Sequence, residues 1–414
     1  DYDVEKVYEA MKHSANLGHL GLEAYKKYGY IPADQEPESV SKTLEYAYDD
    51  WCIAQMAKDL GKEDDYKYFI KRAQSYKNIY DKSTGFMRAK WNGSWFSPFD
   101  PKEVNIHYTE ANSWQYSFYV PQDVSGLMNL MGGKEKFIEK LDQLFTENSE
   151  TTGRHQSDIT GLIGQYAHGN EPSHHMAYLY SYANSPWKTQ EMASRIMKEM
   201  YTDQPDGYSG NEDCGQMSAW YVMSAMGFYP VTPGSNQYVI GSPIFDKVTI
   251  NLENGKQFII EANKVSEQNL YIQSATLNGS DYSKCFLNHS DIMNGGNLFF
   301  EMGGELNQNW GCKDDDIPIS IIESEEFLEV PTLKNKSKTF YDEMTLEFEN
   351  INDEAVIFYS LFSNSMDALI LGSLKKDNFS IGVDNLVKIY NEPIVILETT
   401  YLIAWIQKGE LKSP

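Results

Sequence analysis

Gly227-Phe-Tyr-Pro-Val-Thr-Pro-Gly234 divides this chain into two kinds of sequence. Proline lacks an N–H and glycine frees the backbone, so a helix cannot run through this stretch. On its N-terminal side apolar residues recur at a period near 3.6. Val4, Val7, Tyr8 and Met11 share one helix face, as do Leu44, Ala47, Tyr48 and Trp51, and Tyr66, Phe69, Ile70, Ala73 and Tyr76. Phe137, Ile138, Leu141, Leu144 and Phe145 repeat the pattern, then Met176, Leu179, Tyr180 and Ala183. Residues 1–235 therefore read as about ten helical segments joined by uneven Gly- and Pro-rich loops. On the C-terminal side the period falls to about 2. Lys247–Leu252, Gln257–Ala262, Leu270–Leu277 and Asn297–Met302 read as strands of a β region over 236–325. Thr345–Phe348, Ala355–Tyr359, Leu386–Tyr390, Ile394–Glu398 and Tyr401–Ile406 suit a small sandwich over 326–414. The expected fold class is mainly α, with β regions towards the C-terminus.

The composition narrows the partners. Acidic residues number 60 against 35 basic ones, a net charge of −25 that repels nucleic acid and anionic membrane. A sugar, a cation or a neutral metabolite fits better. No run approaches the ~20 apolar residues of a spanning helix. Cys52, Cys214, Cys285 and Cys312 are scattered without paired spacing, which speaks against zinc. Aromatic residues make up 14%, with 29 Tyr and 8 Trp. Such side chains suit sugar rings, and equally the walls of a large helical core.

Four acidic loops or pairs could carry chemistry. In His107-Tyr-Thr-Glu-Ala-Asn-Ser-Trp-Gln-Tyr116, Glu110 stands before a helix start bearing Trp114 and Tyr116. Aromatic neighbours would desolvate it and keep it protonated as a general acid; the alternative is a carboxylate favouring a helix N-terminus. In Gly210-Asn-Glu-Asp-Cys-Gly-Gln-Met-Ser-Ala-Trp220, Glu212 and Asp213 are adjacent carboxylates that could split their pKa values, bind a cation or simply cap a helix. Gly164-Gln-Tyr-Ala-His-Gly-Asn-Glu-Pro-Ser-His-His175 gathers His168, His174 and His175 with Asn170 and Glu171. Adjacent histidines point apart and make a poor zinc set, whereas Asn170 and Glu171 are hard oxygen donors suited to calcium. The alternative there is a tight turn with hydrogen-bonded histidines. Asp49-Asp50 reads as solvated helix surface. Sequons begin at Asn92, Asn278, Asn288, Asn335 and Asn378.

Taken together, these loops resemble the calcium-dependent exo-α-mannosidases of glycoside hydrolase family 92. The resemblance lies in Tyr108–Tyr116, Thr160–His175, Gly210–Tyr221 and Gly227–Gly234, in that order, and covers about residues 1–325. Residues 330–414 resemble, more weakly, the small β domain that follows some hexosaminidases. The resemblance implies an (α/α)6 toroid of six helical hairpins, normally preceded by a β-sandwich domain. It implies release of mannose from nonreducing ends of N-glycan-type glycans with inversion, outside the cytoplasm. Glu110 then matches the acid and Asp213 the base, with Glu212 in reserve. Asn211 is an amide where some members carry an acid. Trp114, Asn211 and His168 are expected to contact the sugar, and Asn170 and Glu171 to ligate calcium.

Ten helices against a toroid's twelve, and a chain that opens in an amphipathic helix, lead to a further expectation. An upstream segment would pack on this chain and complete the sugar pocket. Rival readings are a noncatalytic glycan-binding toroid, a phosphorylase or a lyase. No phosphate-binding patch is visible, and the negative charge opposes a lyase acting on acidic sugars.

Overall fold

The computed structural model describes residues 2–323, 327–335, 337–349, 354–363 and 387–414. They divide into two compact units, residues 1–100 with 323–414, and residues 101–322.

The first unit begins with α1 (Val4–Ala15), α2 (Leu22–Tyr28), α3 (Ser39–Asp59) and α4 (Glu63–Arg72). The Asp3 carboxylate accepts from Lys6 N and caps α1. In α3 the residues Val40, Leu44, Ala47, Trp51 and Ala54 are buried, one apolar stripe at helical spacing. Asp50, read from sequence as solvated, is buried instead: Tyr25 Oη and Arg72 Nε each donate to Oδ2 at 2.9 Å. It lies three residues after Ala47 and four before Ala54, on a second buried row of α3 with Thr43 and Ala57. Helix α1 covers little of its expected face. Tyr8 is buried, but Val4 and Val7 stay exposed at 41% and 38%.

The C-terminal part of this unit is β. Strands Lys388–Ile389, Val356–Phe362, Tyr401–Lys408 and Leu411–Lys412 form one antiparallel sheet in that order, and Met344–Leu346 pairs with Ile394–Ile396. The two sheets share a core of Leu346, Phe348, Ile357, Ile394, Ile396 and Ile406. Leu386 and the Asn378 sequon lie outside the described residues. Asn78 ties the two ends of the unit together: its Nδ2 donates to Gly29 O at 2.7 Å and its Oδ1 accepts from Val330 N at 2.9 Å. A side chain on Gly29 would meet Asn78 and Pro414.

The second unit holds α5 (Ser113–Tyr116), α6 (Val124–Met131), α7 (Lys134–Thr146), α8 (Pro186–Met200), α9 (Gln216–Met226) and α10 (His289–Met293). Gly227, at φ 104°, closes α9 in the left-handed conformation that glycine adopts without strain. The chain then turns to strands where the period changes. Lys247–Asn251, Gln257–Asn263, Gly296–Gly303, Tyr271–Leu277 and Ser280–Asp281 lie side by side in that order, and only the pairing of 257–263 with 296–303 is parallel. Phe258, Ile260 and Ala262 alternate into the core with Leu298, Phe300 and Met302. One expected α-helix is different: Met176–Ala183 is a 3-10 run, buried along its whole length. Its hydroxyls bond in several directions, Tyr178 to Ser224, Tyr180 to Asp142 and Ser181 to Thr189, so no face is left for solvent. Among the described residues nine α-helices precede residue 235.

Asn78→Ala should cost about 2–4 kcal/mol, because it leaves a carbonyl and an N–H without partners. Urea unfolding followed by fluorescence measures this; a change within experimental error would show that the tie is dispensable.

Candidate active site

Glu110 lies two residues before Asn112, the N-cap of a helix that starts under tight local control. The Asn112 side chain accepts from Gln115 N at 3.2 Å, and Gln115 Oε1 accepts from Asn112 N at 3.1 Å. This reciprocal capping box fixes the entry of α5, whose four residues are all buried. Asn112 Nδ2 also donates to Gln165 Oε1 at 2.9 Å, anchoring the loop to the histidine-rich turn. Glu110 itself is half-buried, at φ 50° in the left-handed region. Its carbonyl accepts from Asn170 Nδ2 at 3.3 Å. Trp114 is buried, with Lys140 Nζ 4.3 Å over its ring.

The histidine-rich turn is an interior brace. His168 is fully buried, with Tyr166 Oη 2.8 Å from Nδ1 and Tyr201 Oη 2.7 Å from Nε2. Tyr201 donates its own proton to Met217 O at 3.0 Å, so it accepts from His168 Nε2–H and Tyr166 donates to Nδ1. His174 Nε2 donates to His168 O at 2.9 Å, and Gln216 Nε2 donates to its Nδ1 at 3.0 Å. The Trp220 indole donates to His174 O, and His175 Nε2 donates to Phe118 O. These bonds suit neutral imidazoles. Burial pushes His168 down to about 2 and His174 and His175 each down to about 4.

The third loop is held against this turn by missing side chains. A Cβ on Gly169 would overlap Thr160 Oγ1 and lie 2.8 Å from Ser209 O. One on Gly210 would lie 2.6 Å from Thr160 Oγ1 and 3.3 Å from Gly169 Cα, and one on Gly161 only 2.7 Å from Ser209 Cβ. The chain then runs through Asp213 (φ 53°), Cys214 (φ 55°) and Gly215 (φ 100°), three left-handed residues in a row. Glu212 stabilises this turn: Oε2 accepts from Gly215 N at 2.5 Å, and Oε1 accepts from Ser218 N and Oγ. These bonds hold its carboxyl below the usual range, the Ser218 hydroxyl first. Asn211 Nδ2 reaches Asp158 Oδ1 at 3.4 Å.

The structure thus brings together Glu110, Asn170 and the Gly210–Asp213 loop through Gly169. Asp213, Asn211 and Glu171 are exposed. His168 and Trp114, expected at the sugar, are interior. Thr160, Tyr166, Tyr201 and Gln216 brace the site and were not singled out from sequence. The glycines at 161, 169 and 210 were the available signal, since each permits a close approach. Among the described residues no three His, Cys, Asp or Glu side chains cluster to hold a metal ion. Asn170 and Glu171 match calcium in donor chemistry but supply only two of the six to eight oxygens it takes.

Residues 1–304 match the model of the glycosyl hydrolase family 92 catalytic domain. The chain belongs to that family. It is 48% identical to a family GH92 α-mannosidase of Bacteroides thetaiotaomicron, with a TM-score of 0.73 over 77% of this chain and 42% of that one. The same relative in complex with mannoimidazole aligns at 47% identity and a TM-score of 0.74, over 77% of this chain and 43% of that one. The family GH92 inverting mannosidase of the same organism is 41% identical, at a TM-score of 0.71 over 77% of this chain and 46% of that one. An uncharacterized secreted glycosidase of Arthroderma benhamiae is 33% identical over 362 residues, 77% of this chain and 44% of that protein. The chain spans less than half the length of these relatives.

The braced histidines give this family member an acid-sensitive core. All three are neutral when folded and take up protons near pH 6.5 when unfolded. Stability should therefore be full above about pH 6.5 and fall between 6.5 and 4, by up to about 1.4 kcal/mol per pH unit for each histidine. Denaturant titrations at pH 7, 6 and 5 should show roughly two to three protons taken up on unfolding near pH 5.5. A flat profile would mean that these imidazoles charge in place.

Proposed function

We propose that this chain carries the catalytic loops of an inverting exo-α-mannosidase that releases mannose from nonreducing ends of N-glycan-type glycans. The observation that carries the reading is the close approach at Gly169 and Gly210, which joins the Glu110 loop to the Asp213 loop across 103 positions of sequence (213 − 110). The family match and the mannosidase relatives support the substrate class.

In this reading the helical region is an (α/α)6 toroid, and Glu110 protonates the departing glycosidic oxygen. Its half-buried position limits the water that would compete for that proton. Asp213 takes a proton from the water that attacks the opposite face, and inversion follows from the single displacement. Such a pair works at a separation of about 6.5–9.5 Å. Glu212 is spent on the turn of α9 and serves to hold Asp213, not to replace it. His168 acts through the chain of hydrogen bonds that fixes the Asn170 turn. Trp114, buried within α5, supports the loop from the interior, and exposed Asn211 faces the sugar.

Asn170 and Glu171 would hold calcium, with water and sugar hydroxyls completing the shell. When bound, the ion supplies Lewis acidity and a template for adjacent hydroxyls. The exposed Val4 and Val7 of α1 support a further domain packing on this chain, which spans less than half the length of its relatives. The protein would work outside the cytoplasm, a reading supported by the secreted fungal relative.

Glu110→Gln and Asp213→Asn should each lower turnover by about 10²–10⁴ while leaving the melting temperature within a few degrees. An activated aryl α-mannoside, whose leaving group needs no proton, should recover activity in the Glu110 variant alone. Equal losses on both substrates would reject these roles.

Calcium should raise the melting temperature of the wild-type chain by mass action and fail to do so for Asn170→Ala or Glu171→Ala. Activity removed by a calcium-selective chelator should return with the ion. Full activity after exhaustive chelation would end the calcium assignment.

A further inference from the structure

We infer that the cleft on the hairpin Lys90–Trp95 is a second sugar-binding site that takes neutral pyranose units of a glycan. The hairpin pairs Lys90–Trp91 with Ser94–Trp95 across a tight turn in which Asn92 (φ 52°) and Gly93 (φ 81°) are both left-handed. Alternation along a strand sends neighbouring side chains to opposite faces. Here the result is inverted: the Lys90 ammonium is buried at 2% exposure while the Trp91 indole stands 37% exposed. Burial drags Lys90 down to about 8. A hydrophobic core alone would favour the opposite order, tryptophan inside and lysine in water.

The outward indole borders a cavity of about 380 Å³. Trp91, Trp95 and Phe96 supply aromatic surface there, and Ser94, Ser97 and Ser337 bring hydroxyls. Trp95 is a fixed wall: its Nε1 donates to Glu349 Oε1 at 3.0 Å, and Lys90 Nζ lies 4.4 Å over its ring. Among the described residues the lining contains no carboxylate and one cation, Lys338, which sits 4.0 Å over the Trp91 ring. Flat aromatic faces beside hydroxyls match the C–H face and hydroxyl rim of a sugar, and the volume admits roughly one or two rings. A surface cation–π contact is weak, so a sugar can displace the ammonium, whose three donors then meet its hydroxyls. An anionic ligand is disfavoured by the net charge of −25.

This site belongs to the unit formed by residues 1–100 and 323–414, whereas Glu110 and Asp213 belong to the other. Its test is therefore independent of catalysis. Affinity electrophoresis of the full chain through gels containing soluble α-mannan, xylan or β-glucan reads it directly. The wild type and Glu110→Gln should be retarded equally by at least one of the three, and the strongest identifies the sugar. Trp91→Ala should weaken that retardation about tenfold, with its melting temperature unchanged because the ring is partly exposed. Trp91→Phe, which keeps a flat face, should retain an intermediate part. No retardation by any polysaccharide, or undiminished retardation of Trp91→Ala, would overturn the proposal. Loss of retardation in Glu110→Gln with retention in Trp91→Ala would assign the binding to the catalytic loops instead.

Discussion

Between Gly169 and Gly210 there is no room for a side chain, and the candidate site depends on that contact. Each glycine faces Thr160, and a Cβ on Gly210 would lie 3.3 Å from Gly169 Cα while one on Gly169 would lie 2.8 Å from Ser209 O. Any Cβ here must push the two loops apart, since the atoms met include backbone that cannot rotate away. The Glu110 loop joins from the other side through Asn170. Three segments distant in sequence thus share one small junction, and a displacement of any of them would be felt at both proposed catalytic carboxylates. Positioning within fractions of an ångström is what acid–base chemistry demands of its groups.

A junction of loops has few apolar contacts of its own, so its rigidity comes from the layer beneath. His168, His174 and His175 link the turn to Tyr166, Tyr201, Gln216 and the carbonyls of Phe118 and Met217. Trp220 packs edge-on to His168 at 4.6 Å and stacks with Tyr201 at 5.9 Å. Every nitrogen of His168 and His174 has a partner, which is what makes their burial affordable. The bonds need neutral rings in one tautomer, so the same network that fixes the site is lost when protons are taken up. Rigidity and acid sensitivity have one cause here.

The sequence was most legible where periodicity decides structure. The strands at 247–303 follow the read alternation within a residue or two, because each buries one face on a single core. Helix α3 was equally plain from its stripe. Periodicity failed at Met176–Ala183, where burial on every side removes the amphipathic signal. It also hid Asp50, whose partners Tyr25 and Arg72 come from other helices. The site loops were legible by motif but not by role. His168 stands among polar residues and looked available to a ligand. Only the fold places Tyr166 and Tyr201 on its two nitrogens. Tyr201, 33 positions away, carries no local mark of that pairing.

The remaining irregularity lies in the backbone of the carboxylate-bearing residues. Glu110 and Asp213 both occupy the left-handed region, which costs a residue with a Cβ on the order of 1–2 kcal/mol. Neither sits where a glycine would merely have been convenient. Glu110 is followed by a complete capping box, and Asp213 precedes a turn that Glu212 clamps with three hydrogen bonds. Regular structure immediately C-terminal to each thus holds the strained residue in place. A relaxed backbone at either position would redirect its side chain, because φ sets the direction in which Cβ leaves the chain. Left-handed backbone also occurs at residues with no proposed role, such as Leu20 and Lys264, so what sets Glu110 and Asp213 apart is the regular structure that follows each, and that agrees with the roles proposed for them.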